Sequence, residues 1–181
     1  MQLQKNLWVV AMTALAYVGL FSFNQFVFSA FNATAASGLV FLPGGLGLIS
    51  VLLFVESGSL GMAIGTMLVG LGQVYTDDPI TTMGSAVLSG LAPWLARALC
   101  MRFAELNEDL KGLSASCLLR MMVAYAALSA LLHQLWFIAR GQDGDLWSGL
   151  ALHFTGHVLG ALVVLYSAKL LLDRLAQPSR G

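Results

Sequence analysis

The sequence predicts an all-α fold, a polytopic membrane bundle of about six transmembrane helices, from three observations. Hydrophobic residues make up 58% of the chain. Charged residues make up only 10%, whereas about 25% is usual in a soluble domain. Apolar runs of roughly 17 to 25 residues, long enough to cross the hydrocarbon layer of a bilayer, recur along the chain. Residues 1–181 are therefore predicted to form a single integral membrane domain.

The apolar runs place the predicted helices near residues 7–29, 38–55, 60–76, 81–101, 116–138 and 147–171. The second and third runs are short and rich in glycine, which weakens a helix. A tilted or re-entrant hairpin is therefore an alternative to two full crossings for that pair.

The basic residues predict the orientation of this bundle. With six spans and a cytoplasmic N-terminus, Arg140 alone lies outside. All the other basic residues fall on the cytoplasmic side: Lys5, Arg97, Arg102, Lys111, Arg120, Lys169, Arg174 and Arg180. Because cytoplasmic loops carry an excess of Lys and Arg, both termini are predicted to be cytoplasmic, in a bacterial inner membrane.

Composition and motifs exclude several classes of function. The 9 basic and 9 acidic residues cancel, and no polybasic cluster is present, so nucleic acid is not an expected partner. The chain contains neither a G-x-x-x-x-G-K-[ST] phosphate loop nor a G-x-S-x-G nucleophile motif, so an enzyme is not predicted. Cys100 and Cys117 lack C-x-x-C spacing and are expected to be reduced structural thiols.

Small residues recur at helical spacing in two of the predicted spans. Gly61 and Gly65 lie in the third, and Gly156 and Gly160 lie in the sixth. A small-x-x-x-small pair lets two helices approach closely. Packing inside one bundle is favoured over a dimer interface, because such pairs are common in any polytopic protein.

Residues 39–54, "LVFLPGGLGLISVLLF", are apolar enough to span a membrane but contain Pro43, Gly44 and Gly45 near their start. Proline removes a hydrogen-bond donor, and glycine loosens the backbone. Two interpretations follow: close helix packing, or a loosened backbone that offers free amide and carbonyl groups to a ligand.

All three histidines and two amides are predicted at a similar depth in the outer half of the membrane. His153 and His157 are four residues apart and share a helix face, while His133 lies near the outer end of the fifth span. Asn24 and Gln25 lie near the outer end of the first span. Polar side chains at membrane depth usually face the bundle interior or a cavity. Together with Pro43-Gly44-Gly45, they predict an outward-facing ligand pocket.

No cofactor or metal is predicted, but histidines on neighbouring helices raise one alternative. His133, His153 and His157 together are compatible with a b-type haem or a metal ion. The H-x-x-x-H pair lacks the glutamate of a zinc protease, and no carboxylate lies in the outer half of a span. Hydrogen bonding between helices by neutral histidines is therefore favoured.

Two segments carry a family resemblance: "FLPGGLGLISVLLFVESGSLGMAIGTMLVG" (41–70) and "LWSGLALHFTGHVLGALVVLY" (146–166). Their order resembles membrane-associated sensor domains of the MASE type, which precede bacterial diguanylate cyclase and histidine kinase domains. That family has a tryptophan-proline-x-x-glycine segment and an acidic residue in its closing helix. Here Phe41-Leu42 replaces the aromatic residue before Pro43, and His157 stands at the position expected for the acid.

The resemblance implies a stand-alone relative of a sensory membrane domain, which binds a small ligand or a partner membrane protein and signals through another protein. Two alternatives remain open. The size and span number also resemble the substrate-binding S components of energy-coupling-factor vitamin transporters, although Ala11, Ala14 and Ala16 are irregularly spaced for their docking motif. An accessory subunit that packs against a larger membrane complex would equally explain the glycines.

Overall fold

The computed structural model describes residues 2–30, 38–103, 110, 113–142 and 145–176. Lys111 and Arg180, which contribute to the predicted charge asymmetry, lie outside these ranges. The regular elements are helices: α1 (Gln2–Ala30), α2 (Leu42–Val69), α3 (Pro79–Phe103), α4 (Ala115–Ala139) and α5 (Leu146–Ala176). A π-helical turn, Gly70–Val74, extends α2. Five helices in the described part are long and apolar enough to cross a membrane, which confirms the all-helical fold and is consistent with an integral membrane protein.

The prediction of six separate helices is not confirmed. The predicted spans 38–55 and 60–76 lie mostly in α2, which consists of two helical arms joined at a kink with no loop between them. A single residue inside α2 leaves the helical conformation, Val55, with φ 47° and ψ −111°. Residues 56–59, which separate the two predicted spans, are themselves helical. The other predicted helices differ from the observed ones by one to five residues at each end.

The two arms of α2, residues 42–54 and 56–69, pack against each other. Met62 Cε lies 3.0 Å from the position of a Cβ at Gly47, and Gly58 packs directly on the backbone of Ser50. Gly47 and Met62 would be about 22 Å apart in a straight helix. The chain therefore reverses direction at Val55.

The main hydrophobic core joins the first arm of α2 to α3, α4 and α5. Its fully buried members include Leu48, Val51 and Met121. Cys100 and Cys117 lie in the same cluster as buried free thiols. Tyr125 also belongs to this core, and its ring contacts His157 with centroids 5.3 Å apart.

The small-x-x-x-small pairs pack within the chain. Gly61 faces Thr13 and Gly65 faces Tyr17, so these glycines bring α1 against the second arm of α2. On α5, Gly156 and Gly160 face the backbone around residues 38–41, just before α2. Each position lacks the space for a Cβ, and the four glycines therefore set the distance between neighbouring helices.

Candidate functional site

One cavity of about 430 Å³ brings together the polar side chains that the sequence placed in the outer half of the membrane. His133, His153, His157, Asn24 and Gln25 all line it. Residues from all five helices contribute to its wall. Pockets for small molecules are typically about 300 to 1,000 Å³, so this cavity is large enough for one small organic ligand.

The three histidines form a stack between α4 and α5. The ring centroids of His133 and His153 are 4.9 Å apart, and those of His153 and His157 are 4.6 Å apart. His133 Nδ1 lies 2.9 Å from the Ser129 carbonyl oxygen, and His157 Nδ1 lies 3.0 Å from the His153 carbonyl oxygen. A carbonyl oxygen only accepts, so both Nδ1 atoms carry a proton and donate it.

Serine hydroxyls hold the other side of these rings. Ser129 Oγ lies 3.1 Å from His157 Nε2 and 3.4 Å from His153 Nε2. Ser89 Oγ, on α3, lies 3.3 Å from His133 Nε2. In a neutral ring that donates from Nδ1, Nε2 accepts, so Ser89 and Ser129 donate to His133 and His157. The orientation of the stack is thereby fixed by hydrogen bonds from α3 and α4.

The histidine stack bears on the metal alternative. Among the described residues, no group of three or more His, Cys, Asp or Glu side chains is arranged to hold a metal ion. A haem iron is held by at least one axial side chain, but the Nε2 atom of each stacked ring lies beside a serine hydroxyl here.

Asn24 has a structural role at the edge of the cavity, which the next residue, Gln25, does not share. Asn24 is 2% exposed, and its Oδ1 accepts a hydrogen bond of 3.3 Å from the backbone amide of Leu42. That amide is in the first turn of α2, where backbone donors lack a partner within the helix. Asn24 therefore positions the start of α2, while Gln25 is exposed and lines the cavity.

Pro43, Gly44 and Gly45 are not among the residues that line the cavity. Pro43 lies in the first turn of α2, which tolerates proline because the missing donor would be unpaired there. A Cβ at Gly44 would be 3.1 Å from His157 Cδ2, and a Cβ at Gly45 would be 2.5 Å from Val164 Cβ. Both glycines therefore allow close packing of α2 on α5.

The backbone around this segment is hydrogen-bonded. The amide of Phe41 donates to the Gly156 carbonyl oxygen at 2.9 Å, and the amide of Gly44 donates to the Phe41 carbonyl oxygen at 2.9 Å. The expectation of free backbone groups at these positions is therefore wrong. The segment is the beginning of a helix, rather than a break within one, so its donors find partners on α1, α5 and the preceding turn.

Aromatic rings that the sequence analysis did not single out join the histidine stack into a continuous series. Phe41 contacts His157 with centroids 5.1 Å apart, and Phe137 contacts His133 at 6.1 Å. The series extends from Phe41 to Phe21 at 6.4 Å and Tyr17 at 6.5 Å, and from Phe137 to Tyr75 at 6.3 Å. All these residues line the cavity, and we call them the aromatic collar: Tyr17, Phe21, Phe41, His157, His153, His133, Phe137 and Tyr75.

Two hydroxyls of α3 were also missed. Thr82 and Ser85 are 1% and 5% exposed, and both line the cavity. Thr82 Oγ1 and Ser85 Oγ have no hydrogen-bond partner among the described residues. Their spacing with Ser89, at i, i+3 and i+7, places all three on one helix face and is the signal that could have identified them.

A polar network ties the start of α3 to the end of α4 beside the cavity. Asp78 accepts hydrogen bonds from the Thr81 amide at 3.0 Å and from Thr81 Oγ1 at 2.6 Å. Arg140 Nη2 lies 3.4 Å from Asp78 Oδ1. These Thr81 hydrogen bonds, and secondarily Arg140, lower the pKa of the Asp78 carboxyl below its usual value. Trp136 Nε1 donates to the Thr81 carbonyl oxygen at 3.1 Å, which completes the connection.

Neither a protein-family model, nor a curated protein, nor a solved structure matches this chain. The interpretation of the cavity therefore depends on the residues that form it.

Proposed function

We propose that this protein binds an uncharged small molecule in its outer cavity, in the manner of a sensory membrane domain that signals through a partner protein. The observation that supports it is the cavity itself, which collects the histidines and amides of separate helices. No Asp, Glu, Lys or Arg is found among the described residues of its wall. A charged ligand would have no counter-ion there, and an unpaired buried charge is costly.

The closed inner end of the cavity favours a ligand-binding site over a transport pathway. The Tyr125 ring packs edge-on against His157, with centroids 5.3 Å apart. Tyr125 belongs to the main apolar core, together with Leu48, Val51 and Met121. A molecule in the cavity would therefore meet close-packed side chains below it. This favours ligand sensing over the transport alternative. An accessory subunit that only packs against a larger complex would not need such a cavity.

We infer that the two arms of α2 cross the membrane separately, so that the chain has six crossings with both termini in the cytoplasm of a bacterial cell. The packing of the arms supports this, because it returns residues 56–74 to the level at which α2 began. At 1.5 Å per residue, the arms 42–54 and 56–69 are about 20 and 21 Å long, and the π-helical turn at 70–74 lengthens the second. The excess of basic residues at one end supports the orientation, since the cavity then opens outwards.

Cysteine labelling tests this arrangement. In a Cys100→Ser, Cys117→Ser background, Ser57→Cys and Thr76→Cys are introduced one at a time, and intact spheroplasts are treated with a membrane-impermeant maleimide. We expect Thr76→Cys to react directly and Ser57→Cys to react only after permeabilisation. Reaction of both cysteines from the same side would contradict six crossings.

Extraction of the purified protein tests ligand binding. The chain is purified from native membranes in mild detergent, and its organic extract is analysed by mass spectrometry. We expect a compound that is enriched with wild type and missing from Ser85→Phe, whose side chain would fill the cavity. Val87→Phe is the matched control, since Val87 lies on the same helix and is 60% exposed.

The double variant His153→Leu, His157→Leu gives a second measurement, in case Ser85→Phe does not fold by circular dichroism and gel filtration. It is expected to lose the same compound. If wild type carries no compound beyond those found with the variants, the proposed function is wrong.

A further inference from the structure

The geometry of the cavity points to the class of its ligand: we propose a flat, uncharged ring compound with oxygen substituents on its edge, the chemical class of quinones and quinols. This inference rests on the proposed function of the cavity. It is carried by two independent observations, the aromatic collar and the unpartnered hydroxyls of α3.

The aromatic collar offers ring surfaces on several sides of the ligand. Its members come from α1, from the residues before and after α2, and from α4 and α5, and each contacts the next in the series. Aromatic pairs attract each other beyond the burial of their area, in stacked or edge-to-face geometry. A flat ring can make such contacts with several members of the collar at once, whereas a flexible aliphatic chain cannot.

The hydroxyls of Thr82 and Ser85 favour a ligand that carries a hydrogen-bond acceptor. Both are more than nine-tenths buried and line the cavity without a partner among the described residues. Residues three apart on a helix are separated by about 4.5 Å along its axis, so both hydroxyls can reach one edge of a ring. Because a buried hydroxyl without a hydrogen-bond partner is unfavourable, a ligand that accepts hydrogen bonds from both is favoured.

An aromatic cage around a quaternary ammonium ion is the main competing class. Such a cation has no hydrogen-bonding group, so Thr82 and Ser85 would remain unpaired. No carboxylate lines the described part of the cavity to balance its charge either. The hydroxyls and the neutral wall therefore favour an oxygen-bearing ring.

Three probes of similar size test this class on the unmodified chain in phosphatidylcholine nanodiscs. They are duroquinone, durene, which has the same methylated ring without oxygens, and phenyltrimethylammonium. Saturable binding is measured by equilibrium dialysis against empty nanodiscs. We expect duroquinone to bind at least about tenfold more tightly than durene, since about 1.4 kcal/mol of hydrogen bonding corresponds to tenfold. Phenyltrimethylammonium is expected to show no saturable binding.

The double variant Thr82→Val, Ser85→Ala then removes the hydroxyls. Duroquinone affinity should fall about tenfold, towards the durene level, whereas durene affinity should not change. The matched control is Ser57→Ala, Thr76→Val, which makes the same replacements outside the cavity and should bind as wild type does. Thermal melting of each variant in the same nanodiscs verifies folding.

The inference is overturned if durene binds as tightly as duroquinone, if the ammonium probe binds more tightly, or if duroquinone shows no saturable binding. The wild-type series gives this answer even where a variant fails to fold. A compound recovered in the extraction experiment, combined with no duroquinone binding, would reject the ligand class and leave the proposed function standing. An extract without any specific compound would reject the proposed function itself.

Discussion

Individual residues act in this protein mainly by fixing distances between helices. Ser129 lies within hydrogen-bond distance of two rings of the histidine stack, and Asn24 accepts a hydrogen bond from the first turn of α2. Gly160 leaves space for the carbonyl oxygen of Phe41, so that the collar residue Phe41 reaches His157 on α5. Each of these contacts joins segments that are far apart in the chain, and each can be tested by one substitution.

Gly160→Ala is expected to lower the melting temperature of the protein in nanodiscs. Its Cβ would meet the backbone of Phe41, which cannot move without separating α5 from α2. Overpacking of this kind typically costs about 1 to 3 kcal/mol. Gly19→Ala is the control, because no atom lies within 4 Å of a Cβ there. It should be neutral or stabilising, since alanine favours a helix over glycine by about 1 kcal/mol. Equal losses in both variants would contradict this packing role.

Asp78 predicts how stability depends on pH. Its pKa is lowered in the folded protein, first by the Thr81 hydrogen bonds and then by Arg140, so the ionised form favours folding. This contribution is present above the ordinary carboxyl pKa of about 3.9 and is lost as the pH falls through the lower folded value. Melting curves should show a larger acid loss for wild type than for Asp78→Asn. Parallel losses below pH about 4 would show that Asp78 does not contribute.

At the scale of secondary structure, α2 is the central element of the bundle. It contacts all four other helices, α1, α3, α4 and α5. The reversal at Val55 gives it two arms, of which the first packs on α4 and α5 and the second on α1 and α3. Val55 has a positive φ, which is strained for a β-branched residue.

Substitutions at Val55 test the reversal. Val55→Gly should raise the melting temperature, because glycine relieves backbone strain of about 1 to 3 kcal/mol. Val55→Pro should lower it, since proline holds φ near −65°. Val123→Gly, at an exposed helical position of α4, should be destabilising and serves as the control. If Val55→Pro were as stable as wild type, Val55 would not determine the turn.

At the scale of the whole molecule, the cavity depends on a helix that contacts only one other helix among the described elements. Among the described elements, α1 packs on α2 alone, yet it supplies Tyr17, Phe21, Asn24 and Gln25 to the cavity wall. The apolar core of α2, α3, α4 and α5 does not include α1. Displacement of α1 should therefore open the cavity without unfolding the core.

Gly65→Leu tests this separation. A side chain there would meet Tyr17 Cβ at 2.7 Å and the Ala14 carbonyl oxygen at 3.0 Å, and would push α1 away from α2. The purified variant should keep its helical circular dichroism but lose the extracted compound. Gly72→Leu, where no atom lies within 4 Å of a Cβ, should retain it. Retention of the compound by Gly65→Leu at the wild-type level would contradict a role for α1 in binding.

Much of the cavity could be predicted, because polar residues in an apolar span usually face the bundle interior or a cavity. His133, His153, His157, Asn24 and Gln25 were identified for this reason, and all five line the cavity. The aromatic rings and small hydroxyls were missed because such residues are compatible with lipid, with the core or with a cavity wall. Pro43, Gly44 and Gly45 were misjudged as a break, since a helix start and a break contain the same residue types.

The sequence by itself determined the all-helical class, the extent of most helices and several of the polar residues that line the cavity. Hydropathy and helical spacing are local properties, and they are sufficient for these features. Only the tertiary structure decided that α2 folds back at Val55, that the eight rings of the collar meet, and that Thr82 and Ser85 face the same space as the histidines. These features depend on contacts between segments that are distant in the chain. A local sequence pattern does not determine which segments become neighbours.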